Sequence, residues 1–440
     1  MAILATTRVY VSANGSTSNG GRYDASYGGS KNYAILDKFA QSYSSVSTAG
    51  INSTTLVLPT GQVFKSDIVG NCIRMLSGTN FTVGDYMVTA RTDDTHVVLD
   101  RSPTTVGTAG SAGTGRMGGS KSFDWVTDAN LEALPAGAIV YVKQWEDNQT
   151  GLNNYVLSGA VSVANAGTLA LPIVIEGWMP DDDGNPETPY GDDRPYIDTG
   201  TLGFGLGVFH QIKHLRFTGA RTTNSTINLS GANQAINCEI VNTGTGSTPK
   251  ALSIGTADQQ SLVIGCDLKC IGGYAAYGAG ASQQLKLIDC NIHDSVIGVI
   301  IGRKLTCLRV NIFNCDTGIT QYSTGGTLRV KDCNFYSCDA GVTSNVLTTA
   351  RNMLVVNSIF MNCGKGIALD SGTPHKTDYI NYNCYYNNTQ DIEGGLTYGP
   401  DDIQADPKFK SPDTGDFSLA PSSPCIAAGL RMDRQVGEGL

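Results

Sequence analysis

From Cys238 to Tyr386 the chain is built of short stretches in which apolar and polar residues alternate, each ending at a polar corner. Leu285/Leu287, Leu328/Val330 and Met353/Val355 open three of these stretches, with the two-residue period of a half-buried strand. Aligned on one another, the stretches give a column at Cys238, Cys266, Cys290, Val310, Cys333, Ser358 and Cys384, at intervals of 28, 24, 20, 23, 25 and 26 residues. Two residues on lies an apolar column: Ile240, Leu268, Ile292, Ile312, Phe335, Phe360 and Tyr386. Five on comes a second thiol column, Cys315, Cys338 and Cys363. Eight on comes glycine, at Gly246, Gly298, Gly318, Gly341 and Gly366, the last four followed by Val or Ile. Such a unit, two or three short strands joined by turns, predicts one coil of a parallel β-solenoid, with equivalent residues stacked about 4.8 Å apart.

The chain holds twelve cysteines, and a metal site, a disulfide framework and core packing compete to explain them. Cys266 and Cys270 are separated by three residues, Cys333 and Cys338 by four, and no paired histidine follows at finger spacing, so zinc fits poorly. Disulfides suit exported chains, and "MAILATTRVYVSANG" has no basic start followed by an apolar run and a cleavage site. The reading is therefore synthesis in a host cytoplasm without a signal peptide, with thiols acting as small hydrophobes in a narrow interior. Cys238, Cys266, Cys290, Cys315, Cys333, Cys338, Cys363 and Cys384 form the expected core ladder. The glycine column is expected where the backbone bends with positive φ or comes into close approach.

Charged residues make up 16% of the chain, against roughly 25% in an average globular protein. The formal charge is −9 with no Lys/Arg cluster, which argues against nucleic acid as a partner. No apolar run approaches the roughly 18 residues of a membrane span, so no membrane insertion is expected.

"LPAGAIVYVKQW" (134–145), "LPIVIEGW" (171–178), "HLRFTG" (214–219), the repeat columns and "DIQADPKFKSPDTGDFSLAPSSPCIAAG" (402–429) together resemble the right-handed parallel β-helix superfamily. This is the pectate-lyase-like fold shared by polysaccharide lyases, some glycoside hydrolases and phage tailspikes. The resemblance implies an all-β chain, with a right-handed parallel β-helix over 121–400 and a C-terminal closing segment, or cap, over 401–440. Residues 1–120 lack the columns. Runs such as "TRVYVSA", "TLVLPTG" and "FTVGDYMVTA" predict a small β-rich N-terminal region there, a candidate for virion attachment, with "NYAILDKFAQSY" as a short amphipathic helix. The stretch from Phe64 to Ser102 resembles segments of β-helical proteins in phage structural clusters. Thr104–Ser122, rich in Gly, Ser and Thr, reads as a linker, and Asp124 or Thr127 as the cap of a short helix.

Enzymes of the resembled fold work on an outer groove, with calcium-held carboxylates and a basic residue, or with two or three Asp/Glu as acid and base. Here the outward candidates Asp267, Asp289, Asp294, Asp316, Asp332 and Asp339 stand at different offsets, and most abut turns, where Asp serves the backbone. No catalytic residue is assigned. His293-Asp294 beside Arg303-Lys304 is the nearest approach to a polar cluster. Asp181, Asp183 and Asn185 alternate as in a calcium loop, although Pro186 interrupts and no glutamate closes the pattern; calcium is the one candidate cofactor. Tyr274, Tyr277, Tyr322, Tyr382, Tyr385 and Tyr386 suit sugar stacking as well as packing between coil faces or subunits.

Two functional readings result. The first is a non-enzymatic phage virion surface protein, a homotrimer bound to the major capsid protein or to tail proteins, as a capsid decoration or head spike ahead of a tailspike. The alternative is a polysaccharide lyase or glycoside hydrolase, including a tailspike depolymerase acting on a surface glycan. A bacterial adhesin would require an export signal or sorting tail.

Overall fold

The structure, a computed structural model, describes residues 7–144, 146–147, 151–152, 154–164, 167–180, 186–189, 193–255, 259–278, 280, 282–322, 326–345, 352–369, 374–426 and 428–429. The chain divides into two compact units, one holding the residues up to Ile197 together with Phe209–Arg216, the other Asp198–Val208 and the residues from Phe217 on.

In the first unit the strands Gln41–Thr48, Thr55–Val57, His96–Leu99, Gly84–Arg91, Cys72–Thr79 and Ser111–Met117 close into a barrel around Val46, Leu56, Phe64, Met75, Val88 and Val97. Two expectations fail here. The glycine-rich segment read as a linker contains a barrel strand, Ser111–Met117; its glycines serve close packing, since a Cβ on Gly113 would lie 2.6 Å from the Phe81 ring. The stretch "NYAILDKFAQSY" forms one 3-10 turn, Tyr33–Ile35, and then enters the barrel strand Gln41–Thr48, where Val46 and Thr48 point inward with strand spacing and an irregularity at Ser45 (φ 52°) offsets Tyr43 by one more residue. Outside the barrel, Arg8–Val11 pairs in parallel with Ile139–Lys143, which pairs with Ile173–Pro180, which pairs with His210–Lys213. A strand from the very start of the chain thus joins the parallel stack, and the barrel is an insertion between its first two rungs.

The second unit is a stack of coils, each with three strands. Equivalent first strands include Gln284–Ile288, Lys304–Leu308, Thr327–Lys331 and Asn352–Val356, paired in parallel with Leu285, Leu305, Leu328 and Met353 in one inward column. Second and third strands are halves of one bent strand in Asn291–Ile301 and Asn311–Gln321, and separate strands, Asn334–Tyr336 and Ala340–Ser344, one coil later. These pairings meet the expectation of a parallel β-helix.

The corners explain the thiols. Asp289, Asp332 and Asn357 hold φ of 52°, 55° and 52° at the first corner; Asn314, Ser337 and Asn362 hold 53° to 55° at the second. Asp and Asn tolerate this left-handed conformation better than other residues with side chains. The next residue turns inward and donates its thiol to the carbonyl two residues back: Cys290 to Ile288 (3.2 Å), Cys333 to Lys331 (3.2 Å), Cys315 to Phe313 (3.4 Å). Ser358 and Ser295 make the same bond at 3.0 and 2.9 Å, so the position requires a small donor rather than sulfur itself. Burial pushes the Cys333 thiol up to about 12, which keeps it a neutral donor.

Three column members sit elsewhere. Ile359 pairs with Cys384, so the residue stacked under Ser358 is Asn383, whose amide bonds Val355 O at 3.0 Å and accepts from the Ser358 N–H at 3.0 Å. Cys384 is buried one position along, and the apolar column ends at Tyr385 rather than Tyr386: the rings of Phe335, Phe360 and Tyr385 stack at 4.7 and 5.4 Å. Gly246 lies in a turn, and Ala251 and Ala275 hold the positions in register with Gly298. From Gly298 to Gly366 the column answers to close approach, since a Cβ on Gly318 would lie 2.5 Å from Gly341 O and 3.0 Å from the Phe335 ring.

Candidate functional site: two outer walls

Residues that face outward on the second strands form one wall. Asp267, Asn291, Asn311 and Asn334 stack in register, and the three amides chain at 2.9 and 2.8 Å. Beside them, the His293 ring is held between two carboxylates, Nε2 to Asp267 at 2.9 Å and Nδ1 to Asp294 at 3.1 Å, while Lys269 bonds Asp294 at 2.6 Å. Burial alone would lower the His293 pKa, but the two carboxylates outweigh it and raise the value, so the ring carries a proton below and around its ordinary range. Among the described residues the side-chain hydrogen-bond partners of His293-Asp294 are thus Asp267, Lys269 and Asn314, not Arg303 or Lys304. Further along, the C-terminal segment covers the wall. Its hairpin, Phe409–Ser411 with Asp416–Leu419, packs Phe417 on Phe313 (5.4 Å) and Tyr336 (6.1 Å), and Asp413 accepts a hydrogen bond from the Tyr336 hydroxyl.

The third strands form a second wall, which carries an open groove of about 550 Å³. Its floor is laid by stacked residues: Tyr274 over Ile297 over Thr317 over Ala340 over Lys365, and Ile300 over Thr320 over Thr343. The hydroxyls of Thr320 and Thr343 lie 3.2 Å apart, and Tyr322, 61% exposed, stands at the edge. Asp316 and Asp339 also line it, at matching positions on consecutive coils, because Thr317 pairs with Ala340. Their backbones are therefore one rung, about 4.8 Å, apart.

The six aspartates singled out from the sequence separate accordingly. Asp289 is bidentate to Arg309 at 2.6 and 2.8 Å; Asp332 accepts from Asn357 at 3.0 Å; Asp267 and Asp294 hold His293. Asp289, Asp294 and Asp332 sit at corners with positive φ, the turn role expected. Asp316 and Asp339 are exposed, lie outside the corners, and make no side-chain hydrogen bond or ion pair among the described residues. Contrary to the sequence reading, these two share an offset. The signal was present as "CDTGIT" (315–320) and "CDAGVT" (338–343), a repeat of Cys-Asp-x-Gly-aliphatic-Thr that places a carboxylate and a hydroxyl on the outer face at each pass.

Of the tyrosines, Tyr385 is buried in the ring stack, Tyr382 occupies a corner at φ 61°, and Tyr274 and Tyr322 line the groove. Asp181, Asp183 and Asn185 lie outside the described residues, and no group of three or more His, Cys, Asp or Glu able to hold a metal occurs among the described ones.

Residues 286–429, less than half of the chain, match a family model described as "Disaggregatase related". No curated protein matches. Among solved structures, the chain is similar to pectate lyase Pel9A, at 14% identity over 73% of this chain and 89% of that one, with a TM-score of 0.44. It is also similar to a GH136 lacto-N-biosidase from Eubacterium ramulus, at 11% identity over 66% and 65% with a TM-score of 0.41. A third is a mannuronic acid specific polysaccharide family 6 lyase from human gut microbiota, at 11% identity over 64% and 75% with a TM-score of 0.33. By its own strand pairings, the chain is a parallel β-helix protein.

Proposed function

We propose that the chain acts on a polysaccharide held in the groove of the third-strand wall. The observation that carries this reading is the conjunction, on one open face, of tyrosine rings, stacked threonine hydroxyls and two carboxylates one rung apart that have no partner among the described residues. Aromatic faces and hydroxyls suit sugar rings, and a pair of carboxylates is what glycoside hydrolysis uses as acid and base. The test is release of new reducing ends from a panel of bacterial surface polysaccharides. Activity that disappears in Asp316→Asn or Asp339→Asn supports the reading. Cleavage that survives both substitutions contradicts it.

A second reading, compatible with the first, is the phage virion surface protein, trimeric and carried on a capsid or tail. The feature that favours it is the N-terminal barrel, whose turns at Ile51 and Val106 are joined by the Asn52 side chain and backbone and leave both apolar side chains 67% and 89% exposed. Isolated exposed apolar residues are ordinary, but a pair at one tip suits attachment to a larger particle. Mass spectrometry of purified particles decides the point: stoichiometric copies support it, and absence from particles rejects it.

A further inference from the structure

We infer that the groove takes an uncharged polysaccharide chain and rejects polyuronates; the inference rests on the reading of this groove as the glycan site and specifies its substrate class. Charge is the first argument. Among the described lining residues the cation is Lys365, and its ammonium is already paired with Glu393 at 2.5 Å. Asp316 and Asp339 remain, two carboxylates with no ion-pair partner among the described residues, so the described bed of the groove is negative. A polyuronate would bring a carboxylate on every sugar unit into that field, at separations of one rung or less, where like charges repel most strongly.

Chemistry is the second argument. Eliminating across a uronate moves charge onto its carboxyl group, and a cation is needed to hold it there; the groove has none free among its described residues. Hydrolysis of a neutral glycoside needs instead a proton donor and a base, and two carboxylates on adjacent rungs supply the groups. At that spacing the matching reaction is double displacement: one carboxylic acid protonates the departing glycosidic oxygen as its bond to the anomeric carbon breaks and the second carboxylate bonds to that carbon, and water then displaces the carboxylate, delivering hydroxyl to the carbon and its proton to the first residue.

Shape is the third. The lining residues from Tyr274 to Lys365 span five successive coils, a run of four rungs or about 19 Å at about 4.8 Å per rung. A polymer fits this track better than a single sugar. Tyr322 offers an exposed ring and Thr320 and Thr343 offer hydroxyls, partners that a neutral sugar can meet without loss of charge solvation.

Matched polymers test this directly. Polygalacturonate, alginate and glucuronan, each beside its carboxyl-reduced neutral form, are titrated against the full chain and against the Asp316→Asn/Asp339→Asn double variant, at low salt, by affinity electrophoresis. Circular dichroism checks that both proteins are folded. The expected result is that at least one reduced polymer is retained tenfold or more tightly than its parent, and that the double variant narrows the gap. A parent polyuronate bound as tightly as its reduced form, with binding lost in Tyr322→Ala, overturns the charge inference while leaving the groove as a glycan site. Retention of none of the six polymers, or retention unchanged by Tyr322→Ala, overturns the groove reading and the inference with it.

Discussion

The two outer walls of the coil stack differ in how their polar groups are employed. On the second-strand wall the amides of Asn291, Asn311 and Asn334 bond one another, His293 is held by two carboxylates, and Phe313 and Tyr336 lie under Phe417. On the third-strand wall, Asp316 and Asp339 are exposed and make no side-chain hydrogen bond or ion pair among the described residues. A polar array that satisfies itself stabilises the stack. One left unsatisfied at the same register, in a groove, is available to a ligand.

The comparison breaks most sharply if activity is found on the wrong wall. Asp316→Asn and Asp339→Asn should each lower turnover about 10²- to 10⁴-fold, the usual worth of a general acid or base, with thermal stability unchanged within about 0.5 kcal/mol. Kinetics and melting on the same preparations check both halves. Phe417→Ala should do the reverse, costing about 3 kcal/mol by chemical denaturation, since it empties the contact with Phe313, Tyr336 and Phe409, while glycan binding stays as it was. Tyr322→Ala should weaken binding about tenfold, roughly 1.4 kcal/mol, without touching stability, by affinity electrophoresis.

The smallest effect belongs to His293. Its pKa is raised in the folded chain, so the ion pairs contribute fully below the ordinary value of 6.5 and are lost as pH rises through the folded value. Denaturation midpoints of the wild type should fall across that window, whereas His293→Gln should show a shallower pH dependence. Equal slopes for both would remove His293 from the wall's electrostatics.

Much of the coil stack was legible because strand period and corner chemistry are local: Leu285/Leu287 and Asp332-Cys333 announce themselves in a few residues. The slip at Cys384 came from following sulfur rather than the corner. Tyr382 holds the left-handed position there, and Asn383 fills the inward position after it, its amide donating to Val355 O on the previous coil. The Ser111–Met117 strand was hidden because glycine is also the composition of linkers, and the Phe81 ring that requires it is thirty residues away in sequence. Docking of Phe417 on Phe313 joins residues about a hundred apart with no shared period, so nothing local could signal it. The groove was half legible: the repeated Cys-Asp-x-Gly-aliphatic-Thr hexapeptide carries it, but only the register shows that the two aspartates face outward on consecutive rungs.

The most direct test is a crystal structure of the chain soaked with a neutral oligosaccharide that it retains. The account predicts sugar density along the third-strand groove, with a ring on Tyr322 and a glycosidic oxygen beside Asp316 or Asp339. Density on the His293 wall instead, with the groove occupied by water alone, would contradict it.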